Sequence, residues 1–227
     1  RWKPETPEPT PDDVEVILDE PELAKGHDYF SLGAFAVSDD GRYLAYSTDT
    51  DGGERYTLVI RDLHTGQLLN ERIANTIDSP VWATDNRTLF YLITNDQWRP
   101  YQARRHVVGE SVDDDVVIYE ESDPGFFVGL ERTTSGEYIG VSTSDHVTSE
   151  LRLLSANDPL GPLQLVAPRR EGHQYWLDHQ GQRFVIRTND HHKNFRLVTA
   201  PVNDPSEVSW AGLIEPSDDR YLLGFQC

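Results

Sequence analysis

The sequence predicts an all-β fold, a β-propeller of four-stranded antiparallel blades, with about four blades forming an incomplete ring. Two observations lead to this prediction. A unit of polar turn, apolar strand, polar loop and further strand occurs four times, and its marker residues Tyr56, Tyr101, Glu150 and Phe195 recur at intervals of 45, 49 and 45 residues. The apolar residues alternate without a sustained helical period, so few helices are expected. A period of roughly 40–50 residues built from short strands is typical of propeller blades.

Each unit opens with a polar tight turn, where Asn, Asp and Gly tolerate a positive φ or bond their own backbone. The four turns lie at 39–41, 84–86, 134–136 and 179–181. Apolar strands follow them, with the sequences YLAYS, TLFYLI, YIGVS and RFVIR. One blade cannot bury both faces of its sheet, so we expect four consecutive sheets, stacked face to face. These sheets are centred near residues 35–73, 81–120, 127–165 and 174–210.

The chain divides accordingly into a lead-in, a helix and blades. Residues 1–18 form a Pro-rich lead-in and the start of the first blade. Residues 19–26, DEPELAKG, predict a short helix, because Asp19 or Glu20 can cap it and Pro21 suits a first turn. Gly26 can end that helix. The expected blades lie at 27–76, 77–123, 124–170 and 171–216.

The two ends of the chain indicate that the ring continues elsewhere. Four-bladed propellers exist, so the number of units alone does not exclude a closed ring of four blades. However, the chain begins with the Pro-rich stretch RWKPETPEPTPDD and ends within the strand-like run YLLGFQC. We therefore expect the sequence to be a piece of a longer polypeptide.

Composition narrows the classes of function. The chain has 39 acidic and 20 basic residues and a net charge of -19, which argues against nucleic acid as a partner. The acidity either draws cationic partners towards the protein or only keeps it soluble. No apolar run is long enough to span a membrane. The single cysteine cannot form an internal disulfide, which is consistent with a cytoplasmic protein.

No stretch predicts a catalytic, metal or cofactor site. The segments 109–113 and 140–144 only approximate the G-x-S-x-G motif of α/β-hydrolases, and we interpret both as structural. His191 and His192 lie in the polar loop NDHHKN, where solvated histidines are the default and a metal site is improbable. Nothing around Cys227 resembles the neighbourhood that activates a nucleophile. We therefore expect no catalytic residue, no metal and no cofactor in this chain.

Four charged residues are the candidate functional residues. Glu120, Glu121 and Asp123 directly follow the strand VVIY, and Arg152 interrupts an apolar run in the next unit. Such charges either pair between blades or face the central tunnel and the rim where a partner domain docks. Because the three acidic residues follow a strand, we place them at the rim and expect Arg152 within their reach.

A series of ordered motifs resembles one enzyme family. The motifs include ELAKGHDYFSLGAFAVSDDGRYLAYSTDTDGGERYTL, VWATDNRTLFY, RPYQARRH, IYEESD, TSELRLL, PRREGHQYWLDH, RFVIRTNDHHKNFRLV and YLLGFQC. They cover almost everything from about residue 14 to the end. The chain resembles the N-terminal propeller of the oligopeptidase B (protease II) group in the prolyl oligopeptidase family.

The resemblance implies a seven-bladed propeller that caps an α/β-hydrolase domain of the same polypeptide, with a Ser-Asp-His triad. It implies cleavage of short peptides after Arg or Lys. It also implies that this chain holds about four of seven blades, with residues 217–227 as the first strand of a fifth. The triad domain is absent from this sequence, so what remains is the part that gates access of short basic peptides.

Two hypotheses about function follow. The first is a substrate-gating propeller of a serine oligopeptidase, in which Glu120, Glu121, Asp123 and Arg152 face the catalytic domain. The second is a stand-alone propeller that acts as a scaffold for protein interactions. The repeats lack the paired GH and WD signatures of WD-repeat scaffolds.

The first hypothesis predicts that this chain alone is inactive. Purified chain should neither turn over a fluorogenic Arg-Arg substrate nor react with a serine-directed phosphonate, because it has no nucleophile elbow. Turnover by highly purified chain that the phosphonate abolishes would contradict the prediction.

Overall fold

Antiparallel strands account for just under half of residues 14–227, the part of the chain that the computed structural model describes. Residues 1–13 of the predicted lead-in lie outside the described residues. Within the predicted helical range 19–26 the structure has one turn of α-helix, α1 (Glu20–Leu23). The Asp19 carboxylate caps it by accepting a hydrogen bond from the Glu22 amide at 3.1 Å. Gly26, at φ +84°, follows the helix in the left-handed conformation that suits glycine.

The described residues contain fifteen strands, arranged in three antiparallel sheets. The strands are β1 (Ser31–Val37), β2 (Tyr43–Asp49), β3 (Tyr56–Asp62), β4 (Leu68–Trp82), β5 (Thr88–Thr94), β6 (Pro100–Val107), β7 (Val116–Glu120), β8 (Phe127–Arg132), β9 (Tyr138–Ser144), β10 (Ser149–Ser155), β11 (Gln164–Ala167), β12 (Tyr175–Gln180), β13 (Arg183–Thr188), β14 (Arg196–Pro201) and β15 (Ala211–Ile214). The sheets follow chain order: β1 to β7, then β8 to β11, then β12 to β15. The predicted all-β fold of four-stranded antiparallel units is confirmed.

The first two predicted sheets differ from expectation because a single strand joins them. The long strand β4 pairs with β3 up to Thr76 and with β5 from Thr76 onward. The register shifts between Ile77 and Val81, and Asn75 and Asp78 adopt φ values of 59° and 58°. An irregularity of this kind bends a strand, so β4 leaves one sheet and enters the next without a break. The change of partner supports a blade boundary at 76/77, which remains a proposal.

The four polar turns have the backbone conformation that their composition predicts. The third residue of each turn has a positive φ. These residues are Gly41 (72°), Asn86 (58°), Gly136 (76°) and Gly181 (65°). Gly and Asn tolerate this conformation, so each turn reverses the chain from the first strand of a unit to the second.

Apolar side chains are buried between consecutive units. Between the second and third units, Val81 and Phe90 pack with Ile139 and Leu154. A further cluster joins the third unit to the fourth; its buried members are Leu151, Leu153, Val166, Ala167, Tyr175, Leu177, Phe184, Ile186, Val198 and Ala200. Neighbouring sheets therefore share their buried surface, as stacked blades do.

The last residues of the chain make contacts but form no strand among the described residues. An isolated bridge joins Ser217 and Arg220, and the Leu222 amide donates to the Asn194 carbonyl at 2.9 Å. The assignment of 217–227 to a fifth blade stays a prediction. Within 14–227, no helix is both long and apolar enough to cross a membrane.

The stacked core predicts a large cost for removing one of its aromatic rings. Phe184 is fully buried and contacts the Tyr138 ring edge-on, with the centroids 4.9 Å apart. Phe184→Ala should lower the free energy of unfolding by about 3–5 kcal/mol, because it leaves a cavity between two sheets. Val208→Ala, at a side chain 94% exposed, is the matched control and should change it by less than about 0.5 kcal/mol. Urea unfolding measures both, and equal effects would contradict face-to-face burial.

Candidate functional site

Two of the candidate residues, Glu121 and Asp123, lie on one edge of the stacked sheets, here called the crossover edge. Successive strands run in opposite directions, so loops after the second strand of a unit share an edge with the connections that lead to the next unit. The crossover edge comprises the loops 50–55, 95–99, 145–148 and 189–195 and the connections 121–126 and 168–174. Glu121 and Asp123 follow β7 directly and therefore belong to this edge.

Glu121 is the buried centre of a hydrogen-bonded group between the second and third units. It is 5% exposed, and its carboxylate accepts hydrogen bonds from the Asp123 amide at 2.9 Å and the Tyr119 hydroxyl at 3.0 Å. The Arg169 guanidinium also donates to this carboxylate. Arg169 comes from the connection after β11, so the contact joins the two units.

Arg169 and Glu150 extend the contacts to Arg152. The Glu150 carboxylate accepts from the Arg169 amide at 3.0 Å and pairs with the Arg152 guanidinium at 2.6 Å. The Arg152 guanidinium also lies 4.6 Å from the centre of the Tyr119 ring. Glu121, Arg169, Glu150, Arg152 and Tyr119 are together called the Glu121 network.

The structure brings two of the four candidate residues into this network. Arg152 contacts Glu121 only through Tyr119 and through Glu150 and Arg169. The Glu120 side chain points elsewhere, to the Gln102 amide, because successive residues of a strand face opposite sides. The Asp123 side chain accepts from the Gly125 amide at 2.9 Å and shapes the connection. The interdomain role of all four residues remains a proposal.

The electrostatics keep Glu121 ionised. Burial acts to raise the pKa of Glu121, but the hydrogen bonds from Arg169, from the Asp123 amide and from Tyr119 outweigh burial and hold the pKa below its usual value. Burial, together with the bond to Glu121, raises the pKa of the Tyr119 hydroxyl. Glu121 therefore stays charged and paired with Arg169 at neutral pH.

Sequence reasoning missed Arg169, which bonds both carboxylates of the network. Its guanidinium also donates to the buried Thr143 hydroxyl at 3.1 Å and lies 4.1 Å from the centre of the Phe126 ring. The residue sits in a loop, in the motif PRREGHQYW, without a strand pattern to mark it. The only available signal was that motif itself.

The five side chains of the Glu121 network fix charge in place and include no serine, cysteine or histidine that could act as nucleophile or base. Outside the network, His179 Nδ1 lies 2.8 Å from the Ser135 hydroxyl. Within 14–227, no group of three or more His, Cys, Asp or Glu side chains is arranged to hold a metal ion. His191 and His192 face different carboxylates, Asp190 at 3.5 Å and Asp218 at 3.2 Å. The site therefore suits a structural or docking role. Arg152 and Arg169 keep 23% and 27% of their side chains exposed at the crossover edge.

Comparison with known proteins decides the family. The family model for the prolyl oligopeptidase N-terminal β-propeller domain matches residues 2–227. The chain belongs to this family. Among solved structures, oligopeptidase B from Leishmania major superposes with a TM-score of 0.87 at 27% identity, covering 95% of this chain and 31% of that one. Oligopeptidase B from Trypanosoma brucei, in a closed form with covalently bound antipain, gives 0.83 at 27% identity, covering 96% and 31%.

Curated relatives lead to the same family. The chain is 38% identical over 210 residues to Protease 2 from Moraxella lacunata and 37% identical over 214 residues to dipeptidyl aminopeptidase BI from Pseudoxanthomonas mexicana. These alignments cover 92% and 93% of this chain but 30% of each relative. The expected likeness to the oligopeptidase B group is confirmed. The chain spans under a third of the length of these peptidases and corresponds to their propeller.

The burial of Glu121 predicts a cost for removing its charge. Glu121→Gln should lower the free energy of unfolding by about 1–3 kcal/mol at pH 7, because charge-assisted hydrogen bonds from Arg169 are weakened. A folded pKa below the usual 4.5 stabilises the fold above that pH, and the stabilisation is lost as the pH falls through the folded pKa. The difference between wild type and variant should therefore shrink below about pH 4.

Urea unfolding from pH 7 to pH 3.5 measures this difference. Glu120→Gln is the matched control, since Glu120 is the exposed neighbour whose side chain leaves the network. An unchanged stability of Glu121→Gln at pH 7, or a difference that grows on acidification, would show that the carboxylate is not held by these bonds.

Proposed function

We propose that this chain is the substrate-gating propeller of a cytoplasmic serine oligopeptidase that cleaves short peptides after Arg or Lys. Its partners are a catalytic α/β-hydrolase domain of the same polypeptide and short basic peptides. The observation that carries this proposal is the match of the propeller family model to residues 2–227, together with the likeness to oligopeptidase B. The net charge of -19 supports cationic peptides as substrates, since an acidic protein raises their local concentration.

The gating role follows from the shape of a propeller joined to a second domain. A narrow ring or a hinge between the domains admits thin, flexible peptides and excludes folded proteins. Closure also keeps bulk water from the reaction. In this proposal the propeller supplies selection by size and charge, and the other domain supplies the chemistry.

The Glu121 network supports a contact with the catalytic domain at the crossover edge. Its acidic groups are buried and paired, whereas the guanidinium groups of Arg152 and Arg169 stay partly exposed. The Glu121 network therefore offers partly exposed positive charge to a docking domain. Partly desolvated ion pairs depend strongly on both partners, so a hinge balanced within a few kcal/mol responds to the loss of one.

The stand-alone scaffold is the competing proposal, and the full-length protein separates the two. A full-length chain that hydrolyses fluorogenic Arg and Lys peptides, and is blocked by a serine-directed phosphonate, supports the oligopeptidase. A full-length chain without hydrolytic activity, or one that cleaves equally well after uncharged residues, would overturn it.

The network predicts a change in gating when its charges are removed. Glu121→Gln, Arg169→Ala and Arg152→Ala in the full-length protein should lower kcat/KM by about 5-fold or more at low salt, because the closed state loses a charged contact. The loss should diminish as the ionic strength rises, since salt screens the exposed part of the contact. Peptide kinetics across a salt series measure this, with small-angle scattering to report compactness.

Arg170→Ala is the matched control for Arg169→Ala. Arg170 is the adjacent residue and pairs with Glu207, outside the network, with 45% of its side chain exposed. Its loss should leave kcat/KM unchanged. If the network variants also keep wild-type kcat/KM at every ionic strength and the same compactness, the Glu121 network only holds two blades together.

A further inference from the structure

A second polar feature of the crossover edge lies between the first two units, away from the Glu121 network. It is a cavity of about 460 Å³, whose walls include Gly33, Ser47, Glu54, Tyr56, Asp78 and Trp98. Glu54 and Trp98 come from the loops after the second strands of two consecutive units, and Asp78 comes from the irregular part of β4. Three separate segments therefore meet around this cavity.

Its carboxylates are free, unlike those of the Glu121 network. Glu54 and Asp78 are exposed, and within 14–227 neither side chain forms a hydrogen bond or an ion pair. Two other acidic side chains near this edge are already used: Asp49 accepts three backbone amides, and Asp145 accepts two. Although the Asp78 side chain reaches solvent, the surrounding protein partly desolvates its carboxyl group and raises its pKa, with no cation beside it to offset this. A positive group in the cavity would relieve that cost.

Two aromatic rings form fixed walls. The Tyr56 ring lies directly against the backbone of Gly33, where a Cβ atom would come within 2.5 Å of the ring. The Trp98 indole N–H donates to the Gly53 carbonyl at 2.9 Å. The Arg55 guanidinium lies 4.9 Å from the centre of the Trp98 ring and donates to the Asp96 carbonyl, but Arg55 does not line the cavity.

The backbone is held in an unfavourable conformation at three residues of the cavity wall. Glu54, Asp78 and Trp98 have φ values of 55°, 58° and 57°, a region that non-glycine residues rarely occupy. The Asp49 carboxylate holds the first of them by accepting the Glu54 amide at 2.8 Å. Surrounding contacts thus fix where these side chains leave the backbone before any ligand arrives.

We propose that this cavity is a subsite for the cationic end of a peptide side chain, a guanidinium or an ammonium group. Two unpaired carboxylates supply charge-assisted hydrogen bonds, and the Trp98 and Tyr56 rings supply faces that attract an organic cation. That the cation belongs to a peptide rests on the proposed function. The cavity opens on the same edge as the Glu121 network, so a bound side chain lies on the side where the catalytic domain is proposed to dock.

Fluorine NMR of the full-length protein labelled with 5-fluorotryptophan tests the subsite at the cavity itself. The Trp98 signal is assigned by its loss in Trp98→Phe. Titration with acetyl-arginine amide or acetyl-lysine amide should shift this signal with a dissociation constant in the millimolar range. Acetyl-citrulline amide has the shape of arginine without its charge, and it should shift the signal little.

The double variant Glu54→Gln, Asp78→Asn should weaken the arginine-induced shift at least about 5-fold in affinity. Gln and Asn preserve shape, and Asn tolerates the left-handed backbone at 78. The matched control is Glu137→Gln with Asp114→Asn, two exposed acidic residues outside the cavity, which should keep wild-type affinity. An unmoved Trp98 signal, an equal response to citrulline, or full affinity in the Glu54 and Asp78 variant would overturn the proposal.

The outcome is separable from that of the proposed function. Peptide cleavage by a protein whose Trp98 signal ignores arginine would refute the subsite and leave the oligopeptidase proposal intact. A Trp98 response in a protein that cleaves no peptide would support the subsite and refute the oligopeptidase.

Discussion

Burial between consecutive sheets is the constraint on which the rest of this structure depends. Each unit is a thin sheet with apolar residues on both faces, so it is stable only when its neighbours cover it. Phe90 and Ile139 meet across one such junction, and Leu153 and Phe184 meet across the next. Stacking also brings the connections of successive units to a common edge. The polar contacts of the crossover edge therefore follow from the apolar packing beneath them.

Most of the fold could be predicted because it depends on local patterns that repeat. The strands and their order could be predicted from polar turns with Gly or Asn in the third position, each followed by alternating apolar residues. The continuity of β4 could not be predicted in the same way. It depends on positive φ values at Asn75 and Asp78, neither of which is glycine, and on a shifted register that only the packed neighbours enforce.

The candidate site was predictable only where a charged residue directly follows a strand or interrupts an apolar run. Glu121 was found because it comes after an apolar strand, and Arg152 because a charge interrupts an apolar run. Their link is Arg169, which lies 48 residues after Glu121 in a loop, and no periodicity connects the two. A contact between loops of different blades depends on the three-dimensional stacking, so local sequence patterns cannot reveal it.

The two polar features near the crossover edge differ in the sign of the charge that remains available to an outside group. In the Glu121 network both carboxylates already have a cationic partner. The groups still able to bind an outside partner are the partly exposed guanidinium groups, which suit an acidic surface. The cavity between the first two units has the opposite charge available. Its carboxylates, on Glu54 and Asp78, have no partner among the described residues and can pair with a cation. One feature is therefore suited to holding a neighbouring domain and the other to holding a ligand. Under the two proposals, domain docking and ligand binding at this edge would be coupled, because each occupant changes the field that the other meets.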